Sequence, residues 1–457
     1  MPKEREWLTF YDWARTYGNY FYLSILGQPI LVLNTHDVVS DLLEKRSGIY
    51  SSRPRLVMAG DLVGFDQAIA LMPYSERFRQ LRRLIQRELN AKALEKYWPL
   101  HEQESRELAK NLISHPTEMQ SYIRHYAGSV ILKVTYGYQT QPKDDPFLLL
   151  AEKVMQAFSM ASQPGAWLVD LVPWLRYLPS WSPGAGFQST AKKWSDLHMQ
   201  VINGPYDWAM RNQGLPALAK PNFVSTVINQ TDADLTEEEQ SLLLWSSASL
   251  FGGGADTTVA ALSSFFLAMA LYPGVQQRGY TEIQKVVGKD RLPSVSDRKH
   301  LPYVECIMYE VLRWNPVTPL GVPHMLVEAD VYEGYHIPAK TIIMPNIWAM
   351  LHEPSIFPEP HSFLPERFVG NEAAVKEVSV AFGFGRRACP GVAFAESSMF
   401  VAIATALSTV IIANARDMQG KDITREVPYK TGTISHPPAF TCSLTPRDGA
   451  ELLSIRT

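Results

Sequence analysis

Phe382-Gly383-Phe384-Gly385-Arg386-Arg387-Ala388-Cys389-Pro390-Gly391 sets one cysteine in a glycine-rich loop, behind two arginines and ahead of an apolar run over 392–412. Pro390 suits the first position of a helix, where its missing N–H costs nothing and its φ is already set. Cys389 is then expected at or beside the helix N-cap. Free amides and the positive end of the helix dipole favour thiolate over thiol there. Gly383, Gly385 and Gly391 let backbone approach a flat, bulky ligand, and Arg386 or Arg387 meets an acidic group on it. A lone thiolate with amides and a cation nearby is what a haem iron requires on its proximal side.

A free cysteine is more commonly a buried side chain in a tight turn before a core helix. The full pattern Phe-x-x-Gly-x-Arg-x-Cys-x-Gly weighs against that. At ordinary residue frequencies it arises by chance in such a chain well under roughly one time in a thousand.

The 457 residues are 46% hydrophobic and 19% charged, with 11 Trp, 19 Phe and 20 Tyr, which implies a large, aromatic-rich core. No repeat or linker divides the chain, so 1–457 reads as one domain. A net charge of −3 argues against nucleic acid as the main partner. Cys306, Cys389 and Cys442 lie far apart with no C-x-x-C pair, so neither a zinc site nor a disulfide framework is expected, and the compartment is a reducing one. The histidines form no H-E-x-x-H, so a metal would arrive inside a cofactor. The opening Met1-Pro2-Lys3-Glu4-Arg5-Glu6 reads as neither signal peptide nor membrane anchor.

Upstream, apolar spacing predicts a helix over 5–17, short strands over 20–26 and 29–33, and a helix over 36–45. Residues 46–74 carry Arg53-Pro54 and scattered glycines without a clear period, as a loop over a pocket would. Arg77, Arg79, Arg82, Arg83 and Arg87 crowd one helical segment, either as a solvated face or with one arginine turned inward. Helical patterns follow over 94–114 and 122–136. The stretch 160–187 is rich in Pro, Gly and Trp (Pro164, Trp167, Pro173, Trp174, Pro179, Trp181, Pro183), and suits either a membrane-dipping loop or a buried one.

Thr236 and Glu239 form a capping box that opens a helix of about 35 residues, roughly 50 Å long, ending before Pro273. Its centre reads Gly252-Gly253-Gly254-Ala255-Asp256-Thr257-Thr258. Mid-helix glycines cost about 1 kcal/mol each relative to alanine, so something must lie against the backbone or the helix must open. The apolar flanks also permit a membrane span, against which the capping box, Asp256 and the glycines argue. A helix over 274–287 precedes another holding Glu310 and Arg313, i,i+3 neighbours in apolar surroundings whose burial would need a third group. Pro365-Glu366-Arg367-Phe368 offers Arg367. Short strands are expected near 330–335 and 341–344, and again from Val427 around a Thr431-Gly432-Thr433 turn.

An acid–Thr helix, E-x-x-R, P-E-R-F and the cysteine loop, in that order, resemble the cytochrome P-450 family over nearly the whole chain. The likeness is to fungal microsomal members of secondary metabolism. The resemblance implies a mainly α fold with a small β region, and haem between the long distal helix and the proximal cysteine loop with its helix. It makes Cys389 the axial thiolate of haem b, with Phe382, Gly385 and Gly391 against the ring. Arg387, Arg82 and His324 hold the propionates. Glu310, Arg313 and Arg367 form a bracing triad. Asp256 and Thr257 are the acid–alcohol pair that delivers protons, and Gly253 and Gly254 leave room for dioxygen and a local helix opening. Phe78 stands where the family usually has Trp, with weaker haem retention expected. The N-terminal membrane helix and proline-rich hinge of microsomal members have no counterpart in this sequence.

The activity implied is monooxygenation of an apolar small molecule by O2. Electrons come from NADPH through cytochrome P-450 reductase, with cytochrome b5 as a further donor, since no nucleotide-binding motif is visible. The full-length protein is expected as a monomer on the cytoplasmic face of the endoplasmic reticulum membrane. A reductase-independent isomerase or dehydratase would lack the Asp256-Thr257 pair, and a non-catalytic haem carrier would not need it. Residues 54–74, the distal face of the long helix, 317–322 and 431–434 are candidates to line the substrate pocket.

Overall fold

The computed structural model describes residues 2, 4–163, 165–179, 181–212, 222–230, 234–414 and 429–454. Pro164 and Val427, named above, lie outside them. Among the described residues ten helices reach twelve residues or more: α1 Glu6–Tyr17, α2 Glu76–Leu89, α3 Trp98–Ser114, α4 Met119–Tyr136, α5 Pro146–Ala161, α6 Gly186–Arg211, α7 Glu237–Leu271, α8 Pro273–Val286, α9 Pro302–Trp314 and α10 Val392–Thr409.

Helix α7 runs through the centre. Thr236 caps it by accepting from the Glu239 amide while Glu239 returns a bond to the Thr236 amide. Every residue from Thr258 to Ala270 is buried, the signature of a helix apolar on all sides. In its most apolar 18-residue window 83% is covered by the rest of the protein, so the membrane-span reading gives way to a core helix. Gly254 explains part of the glycine triplet. A Cβ there would meet Ile131 of α4 at 2.8 Å, so its bare backbone lets the two helices close together.

The β content is small. Strands β1 Tyr20–Ile25, β2 Gln28–Leu33, β3 His324–Met325 and β6 Ile342–Pro345 form a sheet in the order β1-β2-β6-β3. β1 and β2 are antiparallel, and β2 and β6 are parallel, with Ile30 facing Ile342. Strands β4 Asp330–Tyr332 and β5 Tyr335–Ile337 pair with each other, as do β7 Val410–Asn414 and β8 Cys442–Pro446.

Several sequence expectations shift. The apolar run after the cysteine is helical only to Thr409, and its β-branched tail, with Val410, Ile411 and Ile412, becomes β7. The helix over 36–45 changes winding, with an α turn at His36–Val39 and a π turn at Ser40–Lys45. The 46–74 loop contains helical turns at Ser47–Tyr50 and Val57–Leu62 and is largely buried. Near the expected turn at 431–433 the chain bends at residues 432–434, and the strand of the tail comes later, as β8. The Trp-rich stretch takes the exposed alternative: Leu168, Trp174, Tyr177 and Trp181 are 60%, 64%, 73% and 82% exposed.

Candidate active site

A cavity of about 380 Å³ lies between α7 and the cysteine loop, far larger than the roughly 10–15 Å³ that one water needs. Its proximal wall is Phe382, Gly383, Phe384, Arg387, Cys389, Pro390 and Gly391. The loop closes on itself, the Cys389 amide donating to the Phe382 carbonyl at 2.7 Å and the Arg387 amide to Phe384 at 3.0 Å. Pro390 is not the first helical residue, because Gly391 is the N-cap and α10 begins at Val392. Cys389 therefore sits two residues ahead of the cap, with the Gly391 amide donating to Sγ at 3.4 Å. Its accessible surface belongs to the cavity and not to bulk water. Burial pushes the thiol up, and the Gly391 amide and Arg82 only partly oppose this. The expected preference for thiolate is thus outweighed by desolvation until a cation sits beside the sulfur.

Gly385 is not among the residues lining the cavity. Its φ is +51 and a Cβ there would collide with the Leu43 carbonyl oxygen, so glycine allows close packing against the Ser40–Lys45 turn. Gly391 does line the cavity, 3.8 Å from Sγ at a notional Cβ.

Four basic side chains converge on the same cavity. Arg387 donates to the carbonyls of Ser51, Ile69 and Met72 at 2.6, 3.1 and 2.7 Å, and its guanidinium lies 3.8 Å from the Phe78 ring centre. Arg386 instead is exposed and bonds the Tyr74 hydroxyl. Arg82 turns inward from α2 and has no hydrogen-bond partner among the described residues, while Arg79, Arg83 and Arg87 are exposed. His324 Nδ1 donates to the Tyr50 carbonyl at 2.8 Å. The fourth, Arg53, was visible in the sequence only as loop punctuation. It is 6% exposed and donates to the carbonyls of Ala70, Val322 and Pro323.

No carboxylate pairs with any of the four among the described residues. Burial, then repulsion from Arg82, lowers Arg387 to about 9. Burial also lowers Arg82 and, together with Arg387, depresses Arg53 and His324. Buried cations without counter-ions are costly, so this end of the cavity is built for an anionic ligand. A flat group with two carboxylates, and a metal facing Sγ, fits it: haem.

The distal wall comes from α7. Gly253 faces open space, with nothing within 4 Å of a notional Cβ, whereas Gly254, although at the cavity edge, serves the contact with Ile131. The expected helix opening is not seen, since α7 is unbroken through this region. Thr257 lines the cavity and its hydroxyl donates to the Gly253 carbonyl at 2.6 Å. Asp256 points away from the cavity, to His436 Nε2 at 3.0 Å and Arg124 at 4.0 Å. His436 was not anticipated, because a lone histidine in a region without period gives no signal.

Glu310 and Arg313 are 0% exposed. Two nitrogens of Arg313 grip Glu310 at 2.7 and 2.9 Å, the Leu364 amide donates to Glu310 at 2.7 Å, and Arg367 approaches at 3.3 Å. The expected triad is assembled, away from the cavity.

The substrate end is apolar. Phe65 and Ile69 line it from the 54–74 segment, with Val317, Val322, Thr433 and Ile434 as the sequence suggested. Val154 and Phe158 of α5 and His198 and Ile202 of α6 complete it, and were read only as helix faces or not at all.

A family model described as cytochrome P-450 matches residues 3–438. Cytochrome P-450 monooxygenase 105 of Postia placenta is 42% identical over 449 residues, covering 98% of this chain and 86% of that protein. Cytochrome P-450 monooxygenase claR of Ampulloclitocybe clavipes is 38% identical over 461 residues, covering 100% of this chain and 85% of that one. A zebra fish cytochrome P-450 solved with progesterone shares the fold at a TM-score of 0.78 and 22% identity, covering 98% of this chain and 100% of that one.

Proposed function

This chain belongs to the cytochrome P-450 family and is a monooxygenase; from that premise we propose that it takes electrons from NADPH through a separate reductase to hydroxylate or epoxidise an apolar small molecule of fungal secondary metabolism. The observation carrying this reading is the two-ended cavity. Cys389 and four unneutralised basic side chains stand at one end, and apolar walls stand at the other. When bound, thiolate-ligated haem supplies the chemistry that splits dioxygen and inserts one oxygen atom into a C–H or C=C bond.

The chain's own residues prepare that step. Cys389 offers Sγ, the guanidiniums of Arg82, Arg387 and Arg53 would receive the two carboxylates, and His324, whose Nδ1–H is spent on the Tyr50 carbonyl, would join them on taking up a second proton at Nε2 beside that charge. Gly253 leaves distal space, and the apolar walls exclude water. Thr257, anchored on the Gly253 carbonyl, keeps an oxygen free to accept a proton from further out. Asp256, held outside the cavity by His436 and Arg124, is the acid that feeds it once its side chain swings from His436 toward Thr257.

Exposed Arg79, Arg83, Arg87 and Arg386 support an acidic electron-donor surface docking beside the loop, a reductase first and cytochrome b5 second. The exposed Leu168, Trp174, Tyr177 and Trp181 support contact with a membrane surface, for which the endoplasmic reticulum is proposed. The test is spectral. Ferrous protein under carbon monoxide should show the red-shifted Soret band of thiolate ligation, and Cys389→Ala should abolish it. A band that survives this substitution refutes the assignment. Thr257→Ala should raise the fraction of NADPH lost as peroxide, and unchanged coupling removes Thr257 from proton delivery.

A further inference from the structure

The far end of the cavity holds a polar side chain that the chemistry above does not use. His198 of α6 is 5% exposed, with its ring centre 4.1 Å from that of Phe65 and 6.1 Å from that of Trp245 on α7. All three side chains line the cavity. Nδ1 lies 3.3 Å from the Val63 carbonyl oxygen. A carbonyl only accepts, so Nδ1 carries the proton and Nε2 is left as a lone-pair acceptor. Burial lowers the ring's pKa to about 4, so this neutral tautomer persists at neutral pH.

Nε2 has no hydrogen-bond partner among the described residues. The orphaned Nε2 of His101 is sealed inside packing. That of His198 is not sealed, and the space beside its ring is the cavity. Ser249 of α7, which also lines the cavity, accepts the Ile69 amide at 3.2 Å and makes no bond to His198.

We propose that His198 Nε2 accepts a hydrogen bond from the substrate, which is therefore an apolar scaffold carrying a hydroxyl or N–H at the end remote from the oxidised carbon. An acceptor fixed among Phe65, Phe158 and Trp245 loses its water when an apolar body fills the cavity. A ligand donor restores the bond, and a ligand without one leaves the nitrogen unpaired. The span is set by α7. Trp245, beside His198, and Gly253, in the open distal space, are eight residues apart, about 12 Å along the axis. The scaffold is thus of sesquiterpenoid or three-ring size. This inference rests on the haem reading, since it takes Gly253 to mark where the substrate is oxidised.

The experiment uses haem-loaded protein and matched pairs differing only in the donor: cedrol with cedryl methyl ether, and patchouli alcohol with its methyl ether. Affinity is read by equilibrium titration, following the spin-state spectrum and heat of binding. Wild type should bind at least one alcohol about tenfold more tightly than its ether. In His198→Leu that preference should fall to near one, with ether affinity held within about twofold. His198→Gln, which restores an acceptor, should recover most of it. A purely structural role in holding Val63 would weaken both members equally. The proposal is overturned if no pair shows a preference in wild type, or if the preference survives in His198→Leu. Should His198→Leu fail to retain haem, the wild-type pairs and His198→Gln decide alone. A missing thiolate-type carbon monoxide band would sink the haem reading instead, and an intact band without alcohol preference sinks this one alone.

Discussion

Two groups of buried arginines sit in this protein, and they are finished differently. Around Glu310 every buried group has a partner within the chain: Arg313 and Arg367 share the one carboxylate, and the carbonyls of Leu351, Pro360 and Ser362 take the remaining Arg313 donors. Around Arg387 the described residues supply carbonyls and a Phe78 face but no carboxylate, although Arg53, Arg82 and His324 border the same space. A closed set of charges holds a fold together. An open set waits for a ligand to close it. The difference separates structure from function without reference to any relative.

The comparison can be broken most forcefully at the closed set. Arg313→Ala removes the two closest donors to the buried Glu310 carboxylate, leaving it Arg367 at 3.3 Å and the Leu364 amide, and should cost roughly 3 kcal/mol. Urea unfolding should show that loss equally with and without haem, and a loss confined to the haem-loaded form would mean that Arg313 belongs to the ligand site. The open set should behave in the opposite sense. Arg82→Leu should speed haem transfer to an acceptor protein by about tenfold. The same substitution should raise the urea midpoint of the apoprotein, because it relieves desolvation and the repulsion that depresses Arg387. An apoprotein weakened by Arg82→Leu would show that the cluster is closed after all.

A buried base outside both sets gives a smaller, pH-dependent effect. His101 is fully buried and its pKa is depressed to about 3 by desolvation. The unfolded chain takes up that proton near pH 6.5 and the folded one does not, so stability is intact above pH 6.5 and is lost as pH falls toward 3. The loss amounts to about 1.4 kcal/mol per pH unit once well below 6.5. His101→Gln should flatten that acid slope by one proton in denaturation curves across pH 4–7. The slightest change concerns Phe78, whose ring stacks under Arg387 without offering an N–H. Phe78→Trp should slow haem loss by about threefold, and a faster loss would mean that the 2%-exposed site cannot take the larger ring.

The closed set was legible in the sequence, and the open set only partly. Glu310 and Arg313 lie one helical turn apart, and a third cation in Pro365-Glu366-Arg367-Phe368 completes a local pattern. The cysteine loop was legible for the same reason. Its chemistry is contiguous, although the helix start and the purpose of Gly385 were misjudged because Leu43, the neighbour that requires glycine there, is some 340 residues away. Arg53, His198 and His436 carry no local pattern. Each acquires meaning only when chain folding sets it against Arg387, Val63 or Asp256. Periodicity reports which face of an element is apolar, and is silent on which distant carbonyl will fix a ring.

The parallel pairing of β2 with β6 bears on the order in which the molecule assembles. Residues 30–33 find their partners at residues 342–345, so a nascent hairpin must wait for about 300 further residues. At about 5–20 residues per second, that is roughly 15–60 s of translation. Through that interval the buried, apolar edge of Ile30, Leu31 and Val32 lacks its second strand, and an open apolar edge is an invitation to pair wrongly. Chaperone occupancy should therefore concentrate on the first strands of this chain and lift only once β6 has emerged.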